Sequence, residues 1–337
     1  MQKGNSESID REVISALGLD SDRMELVKPI EHGGSERTFY RVAFRNTSYI
    51  VMLHRGIEEE FERYVELDRF LARHGIGVPE IHAVDKAHKA ILMEDLGETH
   101  LEDILNECSE TEAARQYRKA IELLIELQTS VTKGMYAERT LEGREFTKSR
   151  LLAETEYFVE EFVNDYCRIE EFDIDMDRII LAEEISKEPL VFMHRDFQSK
   201  NIMLYGGELR LVDFQSAHRG PGLYDAASLL KDPYHPIGEA LREELLEALF
   251  EAISGTDATK HDGFGSFKKS FTYCGIQRNM QALAAFARLG VKMGKKQFLK
   301  SIPPALGLLE EGLNQIDGLS SLKELLGRIK MALEREV

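Results

Sequence analysis

Three cysteines in 337 residues, Cys108, Cys167 and Cys274, are too few and too widely spaced for a disulfide framework, and no Cys-x-x-Cys pair marks a zinc site. Such usage suits a reducing compartment. The ten histidines lack the i, i+4 spacing and nearby carboxylate of a zinc helix, so no structural metal is expected. Positive charge is also in short supply. Forty-three Lys and Arg against sixty Asp and Glu leave a formal net charge of -17, which opposes attraction to nucleic-acid phosphates or anionic lipid. Neither nucleic acid nor a membrane is expected as a partner. No segment approaches the roughly 18 apolar residues needed to cross a bilayer, and the first ten residues lack the basic patch and apolar core of a signal peptide. A cytoplasmic protein is the expectation. The acidic runs Glu58-Glu59-Glu60, Glu160-Glu161 and Glu183-Glu184 read as solvated helix faces.

What is present is the mixture of a globular protein, 43% hydrophobic and 31% charged, long enough for two domains or for one domain of two lobes. The periodicity changes near residue 97. Before it, 27–30, 38–45 and 49–55 alternate as strands, with Tyr40, Val42 and Phe44 on one side and a turn at Asn46-Thr47-Ser48. A helical period follows over 57–74, where Phe61, Tyr64, Leu67 and Leu71 make an apolar stripe and Gly75 suits a left-handed cap. Two short strands, 81–84 and 90–96, complete an α+β unit. Residues 1–96 thus read as a small antiparallel-sheet lobe, and 97–337 as a larger, mostly helical one. Within the second, Ser109-x-x-Glu112 opens a helix to about residue 130, and helical patterns recur over 147–166, 237–253, 267–289 and 319–336. Only 190–193 and 209–213 look like strands there.

Between those two runs stand His194, Arg195, Asp196 and, five residues on, Asn201, with Asp213-Phe214 after one hairpin. Phosphoryl transfer needs a carboxylate to orient a hydroxyl and accept its proton, together with oxygen ligands that hold Mg²⁺ against a triphosphate. Asp196 fits the first role; Asn201 and Asp213 fit the second. Five specified positions in this register arise by chance on the order of once in a million start points.

These residues resemble the catalytic and metal-binding loops of the eukaryotic-like kinase superfamily, which implies a bilobal protein-kinase-like fold and ATP with Mg²⁺. Only eleven residues separate Asp213 from Asp225, and no Ala-Pro-Glu follows, so a regulated protein-kinase activation segment has no room. Val-Asp-Phe-Gln-Ser-Ala at 212–217 and Gly-Pro-Gly-Leu-Tyr-Asp at 220–225 are similar to the aminoglycoside phosphotransferase and choline kinase group. By that likeness Asp225, His194 and Arg195 support the loop. Within the group, Gly-Ser-Glu-Arg-Thr-Phe-Tyr-Arg-Val at 34–42, Leu-Met-Glu-Asp-Leu-Gly at 92–97 and the stretch 276–289 resemble bacterial cell-wall amino-sugar kinases, which phosphorylate the anomeric hydroxyl of N-acetylmuramate and N-acetylglucosamine. That likeness implies a sugar acceptor and puts Gln198, Gln277 and Arg278 on the acceptor side. The main-chain groups of Glu94, Asp95 and Leu96 would meet the adenine.

Gly33, Gly34 and Ser35 lie between the first two strands, where two glycines let the backbone turn its amides toward phosphate oxygens; the same pair also makes an ordinary hairpin turn. No Walker A loop occurs. The main departure from the kinases is in the third strand, where a Lys normally grips the α- and β-phosphates and Tyr49 to Arg55 offers none. His54 and Arg55 fall on opposite faces, and Arg55 is preferred for its permanent charge and forked donors, with Glu62 or Glu66 as the helical partner. Two other functions remain open: phosphorylation of an aminoglycoside or other small alcohol, and nucleotide binding without catalysis.

Overall fold

The computed structural model describes residues 9–30 and 37–334. The chain divides into two compact units, Met1–Thr99 with Met203–Gln215, and His100–Ile202 with Ser216–Val337. In the first, a short helix α1 (Arg11–Ala16) precedes a five-stranded antiparallel sheet of order β1-β2-β3-β5-β4, formed by β1 (Met24–Ile30), β2 (Arg37–Phe44), β3 (Thr47–His54), β4 (Ile81–Asp85) and β5 (Ala90–Glu94). Arg45 and Asn46, at φ +52° and +60°, make the two-residue turn between β2 and β3. Two left-handed residues match the twist of a tight hairpin, which places the turn one residue earlier than the sequence reading and puts Thr47 and Ser48 in the strand.

Register decides which face each side chain covers. Tyr40 pairs with Val51 and Val51 with Leu92, so these line one face, where Val13 and Ile14 of α1 and its C-cap Leu17 close a buried cluster over them. Met52 and Met93 point the other way, toward helix α2 (Glu58–Arg73), whose Tyr64 hydroxyl donates to the Met93 Sδ at 3.8 Å. The three glutamates of the first turn are exposed at the positive helix end, and Gly75 at φ +82° follows the C-cap. Burial of apolar stripes on both faces makes the sheet a core, not a surface.

One residue of α2 breaks the pattern. Asp68 is buried, and its Oδ2 has no hydrogen-bond partner among the described residues. Burial pushes its carboxyl up to about 7, with Arg69 pulling weakly the other way. An unfolded Asp ionises near pH 4, so between about pH 4 and 7 the folded state holds the extra proton and stability falls as pH rises. Asp68→Asn is therefore expected to raise the melting temperature more at pH 8 than at pH 5, removing a penalty of up to about 4 kcal/mol. Thermal melts of both proteins at both values check this; an equal shift, or a larger one at pH 5, contradicts it.

The second unit carries α3 (Leu101–Glu107), α4 (Glu110–Glu126), α5 (Thr132–Ala137), α6 (Lys148–Phe158) and α7 (Asp175–Ser186), then β6 (Leu190–Met193). The hairpin β7 (Ile202–Tyr205) and β8 (Glu208–Leu211) comes next in the chain and turns on Gly206 and Gly207, both at positive φ. Strand β9 (His218–Pro221) pairs antiparallel with β6, and α8 (Gly222–Leu230), α9 (Glu239–Ile253), α10 (Phe264–Ala287), α11 (Ile302–Asn314) and α12 (Ser320–Glu334) follow. Ten consecutive residues of α10, Phe271 to Met280, are buried, as in a helix enclosed on every side. π-Helical turns at Leu127–Val131, Val159–Tyr166 and Arg288–Lys292 extend α4, α6 and α10.

Glu161 corrects the expectation of solvated acidic runs: it is buried and bound by Arg288 at 3.0 Å and Lys292 at 2.7 Å. Cations one helix away created the exception. Among the described residues no helix is long and apolar enough to cross a membrane.

Candidate active site

The loop 194–201 leaves β6 with its backbone held from below. The fully buried carboxylate of Asp225, in the first turn of α8, accepts the main-chain N–H groups of His194 at 2.6 Å and Arg195 at 2.8 Å. Burial pushes that carboxyl up to about 8, against the pull of the two N–H donors and Arg278. The grip matters because Arg195 sits at φ +78°, a conformation costly for a residue with a side chain. Its guanidinium donates to Glu154 at 2.9 Å, and the Tyr224 hydroxyl donates to the other oxygen of Glu154 at 2.8 Å. Burial disfavours the charged guanidinium, but Glu154 and Asp196 outweigh it and raise the Arg195 pKa.

Asp196 follows. Its carbonyl accepts from the Gln198 N–H at 2.9 Å and from the Asn201 side-chain amide at 2.8 Å, which closes 196–201 into a tight loop. Ser199 donates through both N–H and hydroxyl to buried Asp232, at 3.0 and 2.6 Å. His100 binds the Lys200 carbonyl at 2.7 Å. From α10, the nearly buried guanidinium of Arg278 reaches Gln198 at 3.1 Å and the Asp196 carboxylate at 3.5 Å, while its Nε donates to Ser228 at 3.0 Å. The Asp196 side chain nevertheless keeps 31% of its surface open, so an acceptor can reach it. Lys200 lays its ammonium 3.5 Å above the Tyr234 ring, near Glu102.

In the other unit Asp213 lies just beyond β8 at φ +63°, a conformation Asp tolerates better than most residues. Its Oδ1 accepts from Arg37 at 2.7 Å and from Gln215 at 3.0 Å, and Arg37 also donates to Gln215 at 2.7 Å. Phe214 stacks on Tyr64 of α2 at 5.0 Å. At the end of β5, Asp95 accepts from Arg41, Ser48 and its own turn at Gly97. Burial pushes the Asp95 carboxyl up, but these donors win and hold it below the ordinary value. The connector is thereby clamped to β2 and β3, while the Glu94 N–H is taken by the Glu80 carbonyl and Leu96 is buried.

The expected residues are thus placed unevenly. His194, Arg195, Asp196, Gln198, Asn201, Asp225 and Arg278 gather around one loop. Gln277 does not join them: fully buried, it donates to the Leu151 carbonyl and accepts from Thr155. Arg55 lies exposed past the end of β3, and His54 is buried beside Phe61. Glu62 is bound by Lys86 at 2.6 Å, and Glu66 is exposed. Gly33, Gly34 and Ser35 lie outside the described residues. Sequence reading missed Arg37, Glu154 and Asp232. Each acts on a partner more than 30 residues away, so no local pattern shows the contact it makes.

The donor set suits magnesium. Each unit taken by itself offers an oxygen of the kind Mg²⁺ takes: Asp213 a carboxylate in one, and Asn201, whose amide nitrogen is spent on Asp196, an amide oxygen in the other. Among the described residues no cluster of three or more His, Cys, Asp or Glu side chains forms the all-protein cage that other metals prefer.

Comparison with known proteins places the chain in a family. The sequence over residues 26–262 matches the phosphotransferase enzyme family. An N-acetylmuramate/N-acetylglucosamine kinase of Pseudomonas aeruginosa is 25% identical over 311 residues, covering 91% of this chain and 89% of that protein. Among solved structures, the Plasmodium vivax ethanolamine kinase superposes with a TM-score of 0.61 at 14% identity, over 88% of this chain and 86% of the other. An ADP-bound aminoglycoside phosphotransferase gives 0.55 at 15% identity, over 90% and 99%. The sheet, the helical unit and these likenesses establish the protein-kinase-like phosphotransferase fold, and the chain belongs to the phosphotransferase enzyme family, whose members use ATP to phosphorylate a hydroxyl.

Proposed function

We propose that this enzyme transfers the γ-phosphoryl group of ATP to a sugar hydroxyl, the anomeric hydroxyl of N-acetylmuramate or N-acetylglucosamine, as a step in handling bacterial cell-wall amino sugars. The observation that carries the reading is the open carboxylate of Asp196 on a loop otherwise tied down at nearly every residue. Asp196 orients the acceptor hydroxyl and takes its proton as the oxygen–phosphorus bond forms and ADP leaves, with no covalent intermediate. Asn201 and Asp213 would each offer an oxygen to Mg²⁺, and the ion, when bound, would supply charge neutralisation to the nucleotide phosphates. Arg195 and Asp225 hold the loop, and Arg278 positions Asp196 and Gln198 beside the acceptor. The backbone beyond Glu94 meets the adenine, and Gly33, Gly34 and Ser35 cover the phosphates.

The kinase from Pseudomonas aeruginosa supports the amino-sugar acceptor. So does Lys200. Its ammonium already covers the aromatic face of Tyr234 beside the loop, which favours an uncharged or anionic acceptor over a second cation such as an aminoglycoside or choline. Initial rates with Mg-ATP and N-acetylglucosamine, N-acetylmuramate, an aminoglycoside and choline test this. The acetylated sugars are expected to lead by about 100-fold in kcat/KM, the discrimination a hydrogen-bonding pocket readily reaches. Preference for a cationic acceptor contradicts the reading, as does nucleotide binding with no acceptor phosphorylated.

A further inference from the structure

The third strand lacks the lysine that grips nucleotide phosphates in the kinases this sequence resembles, and neither residue expected to replace it is well placed. Arg55 lies beyond the strand end, and His54 is buried against Phe61. Yet the β2–β3 ladder sets Arg37 directly opposite His54, at the level where that lysine is missing. Residues paired across a ladder share a face of the sheet. We infer that Arg37, at the start of β2, is the cation that grips the nucleotide phosphates in this enzyme, its guanidinium docked on Asp213 and Gln215.

Three observations converge on it, all within one compact unit. First, the guanidinium lies 2.7 Å from Oδ1 of Asp213, the carboxylate proposed to hold magnesium, and 2.7 Å from Oε1 of Gln215. A cation there stands where the charge of a metal-bound triphosphate gathers. Second, one residue separates Arg37 from Ser35 in the sequence, so it is a sequence neighbour of the glycine pair expected to cover phosphate. Third, the side chain is only 8% exposed, yet no apolar packing need explains a charge at that depth; a planar fork that binds a carboxylate and an amide together also matches two phosphate oxygens. Docking on Asp213 keeps the guanidinium oriented before nucleotide arrives. The inference rests on the phosphotransferase reading and gives a role to a residue that the sequence reading quoted only as part of a family likeness.

The test is binding, not turnover. Affinities of the full-length protein for adenosine, ADP and ATP are measured by calorimetry, with Mg²⁺ and with EDTA, for wild type, Arg37→Met, Arg37→Lys and Arg55→Ala. Arg37→Met is expected to weaken ATP and ADP about 10- to 100-fold in both buffers while leaving adenosine unchanged, the loss typical of one charge-assisted contact. Arg37→Lys recovers part of the loss, since it keeps the charge without the fork, and provides the readout should the methionine variant not fold. Arg55→Ala stays within about twofold of wild type. A loss confined to magnesium buffer overturns the inference, because Arg37 would then act only through Asp213; so does an equal loss for adenosine, or a larger loss from Arg55→Ala. Wild-type phosphorylation of the sugar panel is scored separately, so failure of this inference is distinguishable from failure of the proposed function.

Discussion

Replacing Asp196 with alanine is expected to lower kcat by about 10³-fold while changing the affinity for ATP by no more than about twofold. The size follows from what the carboxylate does. General-base assistance contributes roughly 10²- to 10⁴-fold, and the loop that presents Asp196 is anchored through other residues, so removing the carboxylate leaves its scaffold standing. The melting temperature is expected to change little, since Asp196 is part-exposed and its side chain meets Arg278 at a long 3.5 Å. Steady-state rates, calorimetric ATP binding and a thermal melt check the three parts. Retained turnover removes Asp196 from its assigned role; lost ATP binding makes it a nucleotide residue instead.

Asp225→Ala should behave in the opposite way, damaging fold and rate together. The substitution strands two buried N–H groups, those of His194 and Arg195, at about 1–3 kcal/mol each, and it releases the backbone that holds Arg195 at positive φ. The expected result is a fall of about 3–8 °C in melting temperature and a loss of at least about 100-fold in kcat/KM, because a displaced loop no longer aims Asp196. Asp225→Asn recovers at most part of this. Its amide keeps one accepting oxygen but turns an N–H₂ toward the second backbone donor. A stable, active Asp225→Ala protein contradicts the account of the loop, whereas the Asp196 and Asp225 variants read side by side separate chemistry from support.

The contrast also explains which parts of the molecule were legible in its sequence. Asp196, Asn201 and Asp213 stand within eighteen positions, on loops between short apolar strands, where dense local spacing carries the signal. The sheet was readable for the same reason: alternation in 38–45 puts Tyr40, Val42 and Phe44 on one side, and all three pack in one cluster. What remained hidden depends on partners far along the chain. Arg37 meets Asp213 across 176 positions, a contact that its place in the stretch 34–42 does not show, and Arg278, placed on the acceptor side by likeness alone, meets Asp196 across 82. Gln277 and Arg278 are neighbours on α10, yet one is buried against α6 and the other faces the loop. Periodicity does not separate them, because α10 is enclosed all round. Burial of Glu161 was missed likewise, since its cations come from Arg288 and Lys292.

The most direct measurement uses N-acetylglucosamine labelled with ¹³C at its anomeric carbon. The sugar is incubated with Mg-ATP and either the wild-type enzyme or Asp196→Ala, and followed by ¹³C and ³¹P NMR. With wild type, the labelled carbon is expected to show splitting by coupling through oxygen to a phosphorus as ADP accumulates; with the variant, the carbon line of each anomer stays unsplit over the same period. An unsplit carbon in the wild-type sample, or equal splitting in both, contradicts a sugar phosphotransfer run by Asp196.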